Sequence, residues 1–295
     1  MHSYLVNQLS KKVKSIKVGN SILDLSFPKI MGVLNVTPNS YYADSRVNID
    51  NVLSVAEQMI ADGVHILDVG GESTNPVELY PEQKVGPIAR DEELDRVIPV
   101  IEKLSKEFDT FISIDTMKPV VMQEALNAGA HIVNDVNGLR ADGAIEVVAK
   151  NKASVCIMHM QGMPSTMQVN PSYTDVVKEV KEFLFNKADE CIKAGVDKDA
   201  ICLDPGFCFG KTPLHNMELL RSLEEFTHSS YPVLVGISRK SMVGRILDKP
   251  SEDRLYGSIS IHLLTMLSGA SIIRTHDVAA TADSIKIFNA YLGLN

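Results

Sequence analysis

The chain has 295 residues, 45% of them hydrophobic and 22% charged, which is the balance of an ordinary globular protein with a real core. Its 37 acidic residues outnumber its 29 basic ones. That argues against a general nucleic-acid or anionic-membrane binder, while leaving room for a small basic pocket. No apolar run approaches the ~18 residues of a membrane span, and the N-terminus lacks a signal-peptide pattern. Cys156, Cys191, Cys202 and Cys208 form no CxxC pair. Buried free thiols in a soluble protein of the reducing cytoplasm are expected.

The first element is SIKVGNSILDLS, two short strands about Gly19-Asn20, a hairpin expected over 17–26. Eight apolar runs follow in order: KIMGVLN, VHILDVG, FISID, AHIVND, SVCIMH, AICLDPG, PVLVGIS and SIIRTHD. Continuous rather than alternating hydrophobicity predicts burial on both faces, as in a parallel sheet. Helix-period segments lie between them, among them IDNVLSVAEQMIAD and TDVVKEVKEFLFNKADECIKAG. The latter closes on Gly195, and another helix is expected to start at Pro119 and stop at Gly129. Eight such units predict an α/β fold: one (β/α)8 TIM barrel domain over 1–295, with the N-terminal hairpin capping the barrel bottom.

Every run ends in a polar residue: Asn35, Asp68, Asp115, Asn134, His159, Asp204, Ser238, and Arg274 with His276. In this fold the C-terminal strand ends open into one shared mouth where chemistry sits. At any single position the loop alone explains polarity, and Asp204 in DPG also fits a turn. All eight together point to a site. Asp115, Asn134, Asp204 and Lys240 suit a flat heterocycle rich in ring nitrogens. Ser73 and Thr74 in GGEST, with Arg239, Arg274 and His276, suit phosphate oxygens. The spacing of GISRKS is not that of a P-loop. No HExxH is present, and His159 between methionines reads as a packing residue. No GxGxxG follows a strand, which disfavours a nicotinamide enzyme.

From about residue 17 onward the chain resembles the dihydropteroate synthase family. The resemblance rests on GVLNVTPNS, DVGGEST, SIDTMKP, GAHIVNDV, VCIMHMQGMPSTMQ, LDPGFCFGK, LVGISRKSMVGR and IIRTHDV, in that family's order. It implies a homodimeric folate-pathway transferase that joins 6-hydroxymethyl-7,8-dihydropterin pyrophosphate to p-aminobenzoate and releases pyrophosphate. The implied pterin residues are Asp115, Asn134, Met158, Asp204, Phe209 and Lys240. Asn35, Ser73, Thr74, Arg239, Arg274 and His276 are implied for pyrophosphate, Asn35 also holding Mg²⁺. Ser238, Phe209 and Lys240 are implied for p-aminobenzoate, Ser238 meeting its carboxylate at the start of the next helix. Asp115, Lys240 and Arg274 are the implied catalytic residues. Asp115 would stabilise the pterin cation, while Arg274 with Mg²⁺ would stabilise the departing anion. Sulfonamide sensitivity is implied as well.

The match departs from the family in its loops. Asn39 and Tyr41 stand where the family has Asp and Phe, and Ala43 takes a later acidic position next to Asp44. Asn75 replaces an arginine, in a longer segment where Lys84 or Arg90 is a candidate substitute, and Cys208 replaces a glycine. Three readings follow: an active synthase, a non-catalytic pterin-binding paralogue with altered loops, and a pterin methyltransferase-like barrel. SRKS and RTHD favour the first over the third, because a methyl donor brings no pyrophosphate. Asn35, Lys240, Arg274 and His276 all survive, which favours the first over the second.

Overall fold

The computed structural model describes residues 13–37, 47–73 and 87–293. Strands β1 (Ser15–Val18) and β2 (Ser21–Asp24) pair antiparallel about a two-residue turn with Gly19 at φ +58°. The hairpin thus begins two residues before the predicted 17–26.

Eight strands follow: β3 (Lys29–Asn35), β4 (Ile66–Gly70), β5 (Phe111–Asp115), β6 (Ile132–Asp135), β7 (Ser154–Met158), β8 (Ile201–Asp204), β9 (Leu234–Val235) and β10 (Ile272–Thr275). They form one parallel sheet in the order β8-β7-β6-β5-β4-β3-β10-β9. A bridge between Leu203 and Val233, with the Leu203 N–H on the Pro232 carbonyl at 3.0 Å, joins the two ends into a barrel. β4 and β7 are buried at every residue, as expected of largely apolar strands covered on both faces.

The sequence reading of β9 is too long. Within PVLVGIS only Leu234 and Val235 are strand, with Val233 bridged to Leu203 just before them, because the chain then turns away through Gly236 toward Arg239, at φ +55°.

The helices pack outside the sheet. α1 (Val52–Ala61) and α2 (Arg90–Glu107) flank β4, and α3 (Pro119–Asn127) opens on its proline. After α3 the chain passes through Gly129 at φ +114°, where an added Cβ would lie 2.7 Å from the Ser105 Cβ. Only glycine fits that stop. α4 (Ala144–Asn151) follows β6. α5 (Val176–Lys193) is capped by Asp175, which accepts from the Lys178 N–H at 2.9 Å, and it buries Val176, Val180, Leu184, Ala188 and Cys191 along one stripe. α6 (Pro213–Arg221) and α7 (Glu224–Thr227) precede β9; α8 (Ser241–Leu247), α9 (Leu255–Leu267) and α10 (Val278–Leu292) complete the ring.

The core has two main compartments. The larger lies between sheet and helices. The smaller fills the bottom of the barrel, where Ile16, Val18, Leu23 and Leu25 of the hairpin region close over Met31, Ile66, Ile132, Cys156, Cys202, Leu234 and Ile272. These inward residues lie in the first half of their strands or, for Cys156, at the middle, so the hairpin caps the bottom. The void left among them is about 10 Å³. The Ser154 hydroxyl donates to the Lys17 carbonyl at 2.5 Å and ties the cap to β7.

Candidate active site

Strand register sets the levels of the opposite end. Gly70 is level with Asn35 and with Asp115, and Asp115 is level with Asn134. Asp68 sits two residues lower on β4, fully buried beneath that rim. Met158 is level with Asp204 on the far side.

Arg274 links the near side. Its Nε donates to Asp68 Oδ2 at 2.6 Å and its Nη2 to Asp115 Oδ2 at 2.7 Å. Asn134 Nδ2 donates to the same Asp68 Oδ2 at 3.1 Å. Burial pushes the Asp115 carboxyl up to about 7 against the pull of Arg274, and the charges of Asp68, Glu93 and Asp135 add to the rise. Burial by itself would lower the Arg274 pKa, but the two carboxylates overcome it and raise the value. Such buried clusters are weak sources of stability. What they provide is a cation held at a fixed place in a poorly solvated mouth.

Lys240 and the loop after β8 make the far side. Lys240 Nζ donates to the Phe207 carbonyl at 3.0 Å and lies 4.6 Å from the centre of the Phe209 ring. Burial lowers its pKa, while the charge of Asp204 pulls it back up. Asp204 is itself raised by burial, and its Oδ1 accepts from the Gly206 N–H at 2.7 Å. Met158 packs with Val136, Met160 and Met167 against Phe209 and Met117, an apolar wall for a flat ring.

Beneath that loop lies Lys211, whose Nζ reaches His159 Nδ1 at 2.9 Å and the carbonyls of Gly206 and Phe209 at 2.8 and 3.0 Å. Burial drives Lys211 down to about 7 and His159 down to about 2, so the imidazole is neutral. His159 packs edge-on to Phe183. It is a buried packing residue that also accepts from a lysine.

Two positions differ from expectation. Arg239 does not present its guanidinium to the mouth. It is buried, donating to Asp277 at 2.8 and 2.7 Å and to the carbonyls of Ser251 and Glu252 at 2.9 and 2.8 Å. Its left-handed backbone swings the side chain away from Lys240, its neighbour in sequence. Ser238 does not stand at the start of α8, which opens with Ser241. Ser238 is buried, with its hydroxyl near the His276 N–H at 3.2 Å and His276 Nδ1 at 3.0 Å. His276 is pushed down to about 3 by burial and by Arg274, Arg239 and Lys240, so it enters the site as a neutral group.

Ser73 is half-buried beside Glu72. Glu72 accepts from Lys118, which also donates to Glu93 at 2.5 Å, and Thr116 donates to Glu93 at 2.6 Å. This network ties residues up to 73 to the turn after β5. Arg90 is exposed and paired with Asp91 at 2.7 Å. Thr74, together with Asn39, Tyr41, Ala43, Asp44, Asn75 and Lys84, lies outside the described residues. Cys208 is buried at φ +71°, its N–H on Asn216 Oδ1 at 2.7 Å. Sequence reading left Asp68 and Lys211 without roles. The signal available was their place at a strand end and after a strand-end loop.

A guanidinium, an ammonium, two carboxylates and two carboxamides around one barrel mouth, above a third and buried carboxylate, define the class: an α/β-barrel enzyme suited to gripping a nitrogen-rich ring beside an anion. Comparison agrees. The profile of the pterin binding enzyme family matches residues 31–276. A dihydropteroate synthase of Haemophilus influenzae is 46% identical over 272 residues, 92% of this chain and 96% of that one. The structure of the Yersinia pestis dihydropteroate synthase with a sulfonamide drug superposes with TM-score 0.88 at 42% identity, covering 94% of this chain and 98% of that one. The Xanthomonas albilineans dihydropteroate synthase with 4-aminobenzoic acid gives TM-score 0.85 at 38% identity over 94% and 97% of the two chains. The chain belongs to the pterin binding enzymes and, within them, to the dihydropteroate synthases, a family of transferases. The non-catalytic reading gains no support from these relatives.

Proposed function

We propose that the mouth joins 6-hydroxymethyl-7,8-dihydropterin pyrophosphate to p-aminobenzoate, with the following division of labour. Asp115, the free carboxamide oxygen of Asn134, Asp204 and Lys240 bind the pterin edge, and Met158 and Phe209 pack on its faces. Arg274 receives the pyrophosphate with neutral His276, and Ser73 and Thr74 are further candidates for its oxygens. As the C–O bond breaks, Asp115 faces the positive charge spreading over the pterin while Arg274 faces the departing anion. The neutral arylamine then attacks the methylene carbon and loses a proton to solvent. Phe209 and Lys240 line its approach, and the half-buried Ser241 hydroxyl beside Lys240, rather than Ser238, is the nearer partner for its carboxylate. Arg239 supports this site from behind, by pinning the turn that carries Lys240.

Mg²⁺ fits the same reading as an ion carried in on the pyrophosphate. Among the described residues no cluster of three His, Cys, Asp or Glu side chains forms a protein cage. Asn35 Oδ1 faces the Gly70 position beside Asp115, and one oxygen ligand, with phosphate and water completing the shell, is a common Mg²⁺ arrangement. Bound there, the ion would supply charge neutralisation for the anion.

The observation that supports this reading is the Arg274 bridge, in which the guanidinium Nη2 donates to Asp115 Oδ2 at 2.7 Å. Pyrophosphate release should require both organic substrates when each is omitted in turn, with sulfonamides inhibiting it. Tight pterin binding without release would sink the catalytic assignment.

A single barrel domain, a cytoplasmic location and a homodimer belong to the same reading. No helix among the described residues is long and apolar enough to cross a membrane. α9 and α10 pack together and leave Tyr256, Leu264, Ile287 and Tyr291 exposed, an apolar face suited to a second copy.

A further inference from the structure

Asp68 has no role in the reading above, yet its partners are all functional. One oxygen, Oδ2, accepts from Arg274 Nε at 2.6 Å and from Asn134 Nδ2 at 3.1 Å. The other, Oδ1, is buried with no hydrogen-bond partner among the described residues. A carboxylate kept for local architecture would cap a turn with both oxygens, as Asp135 does for the N–H groups of Asn137 and Leu139 at 2.7 and 2.8 Å. Asp68 caps nothing. It is 0% exposed and lies two residues below the rim, so it cannot reach a ligand in the mouth.

We infer that Asp68 is a positioning residue for the reaction, fixing with one oxygen both the guanidinium that receives pyrophosphate and the carboxamide that reads the pterin. The inference rests on the roles proposed above for Arg274 and Asn134. Its physical content is a spacing. Arg274 comes from β10 and Asn134 from β6, and the register sets their strands on different sides of β4. A shared acceptor on β4 holds the two side chains together whatever the outer loops do. It also leaves the Nη1 end of Arg274 without a hydrogen-bonded partner among the described residues, and therefore available to an anion. A guanidinium turned by about 1 Å would weaken contact with the leaving group at the moment charge develops, an effect on the order of 100-fold in rate.

Asp68→Asn keeps the shape and the accepting oxygen but removes the charge that holds Arg274. Asp68→Glu keeps the charge and moves the oxygen by a methylene. Each is expected to lower kcat by about 30–100-fold with a smaller change in KM, and to leave the melting temperature within a few degrees. In an Arg274→Gln background, Asp68→Asn should cost only about 3–10-fold, because the hold on Arg274 is already lost and only that on Asn134 remains. Equal losses in both backgrounds, unchanged kinetics in both variants, or failure of both to fold would overturn the role. Calorimetry with inorganic pyrophosphate gives a readout free of turnover: Asp68→Asn should weaken its affinity about 10-fold, and unchanged affinity counts against the inference. Wild-type turnover with an additive cycle would remove only the role of Asp68. A wild-type protein without turnover would instead remove the functional reading, and the pyrophosphate affinities would still decide for Asp68.

Discussion

The floor and the mouth of this barrel are built on the same strands, only a few residues apart. On β4, Ile66 faces the sealed floor and Asp68 the ion cluster, a rise of about 7 Å. At the floor, apolar side chains leave a void of about 10 Å³, and each buried group stabilises the fold. At the mouth, Asp68, Asp115, Asp204, Lys240 and Arg274 are held largely out of water, where desolvation offsets much of what pairing returns. The floor therefore adds to the stability that the larger sheet–helix core supplies, and the mouth is where part of it is spent on preorganised charge. A change at one end should register as stability, and at the other as rate.

The sharpest test of that division is Asp115→Asn. It should reduce turnover by about 100–1,000-fold, read by pyrophosphate release, while Arg274 stays paired with Asp68 and the melting temperature holds or rises. The same variant carries a pH prediction. The Asp115 carboxyl is held up to about 7, so between about pH 4 and pH 7 the folded chain keeps a proton that the unfolded chain releases. Stability from this group declines as pH rises through that window. Asp115→Asn should flatten the decline in urea-melt midpoints, and an unchanged slope would show that the titration lies elsewhere.

The converse substitution is Leu25→Ala beneath the floor. Leu25 is 0% exposed, so its truncation should cost about 2–4 kcal/mol in denaturant unfolding. Its kcat/KM at 25 °C should stay within about 2-fold, since surface-distant packing acts on the folded fraction. A large kinetic effect would break the separation of the two ends. The smallest effect expected is that of Cys208→Gly. Relieving a left-handed non-glycine backbone should stabilise by about 1 kcal/mol, shifting the melting temperature upward by a few degrees. Destabilisation would show that the buried thiol's contacts outweigh the strain.

Much of the architecture was legible in the sequence because a parallel barrel strand is buried on both faces and must be apolar almost throughout. The position of the site's deepest residue was not. In VHILDVG Asp68 is legible as a strand-end carboxylate, but nothing local tells that it points inward beneath the rim. Arg239 and Lys240 are adjacent cations with equal claims on a phosphate. What separates them is the left-handed turn at 239 and Asp277, 38 residues further on, a tertiary fact with no local trace. Ser238 was likewise assigned to the start of a helix that begins three residues later. Lys211 follows the DPG turn, and its partner His159 comes from the end of β7, 52 residues earlier, which no local pattern shows.

The four cysteines, all free and buried, turn this two-ended construction into a set of internal clocks. A thiol reagent attacks only an exposed thiolate, so its rate at each sulfur counts how often that part of the molecule opens. Cys156 and Cys202 stand side by side across β7 and β8 in the floor and should tick only with global unfolding. Cys208, under the loop that carries Phe209, should tick with every local loosening of the mouth, and should slow when substrate holds that loop shut.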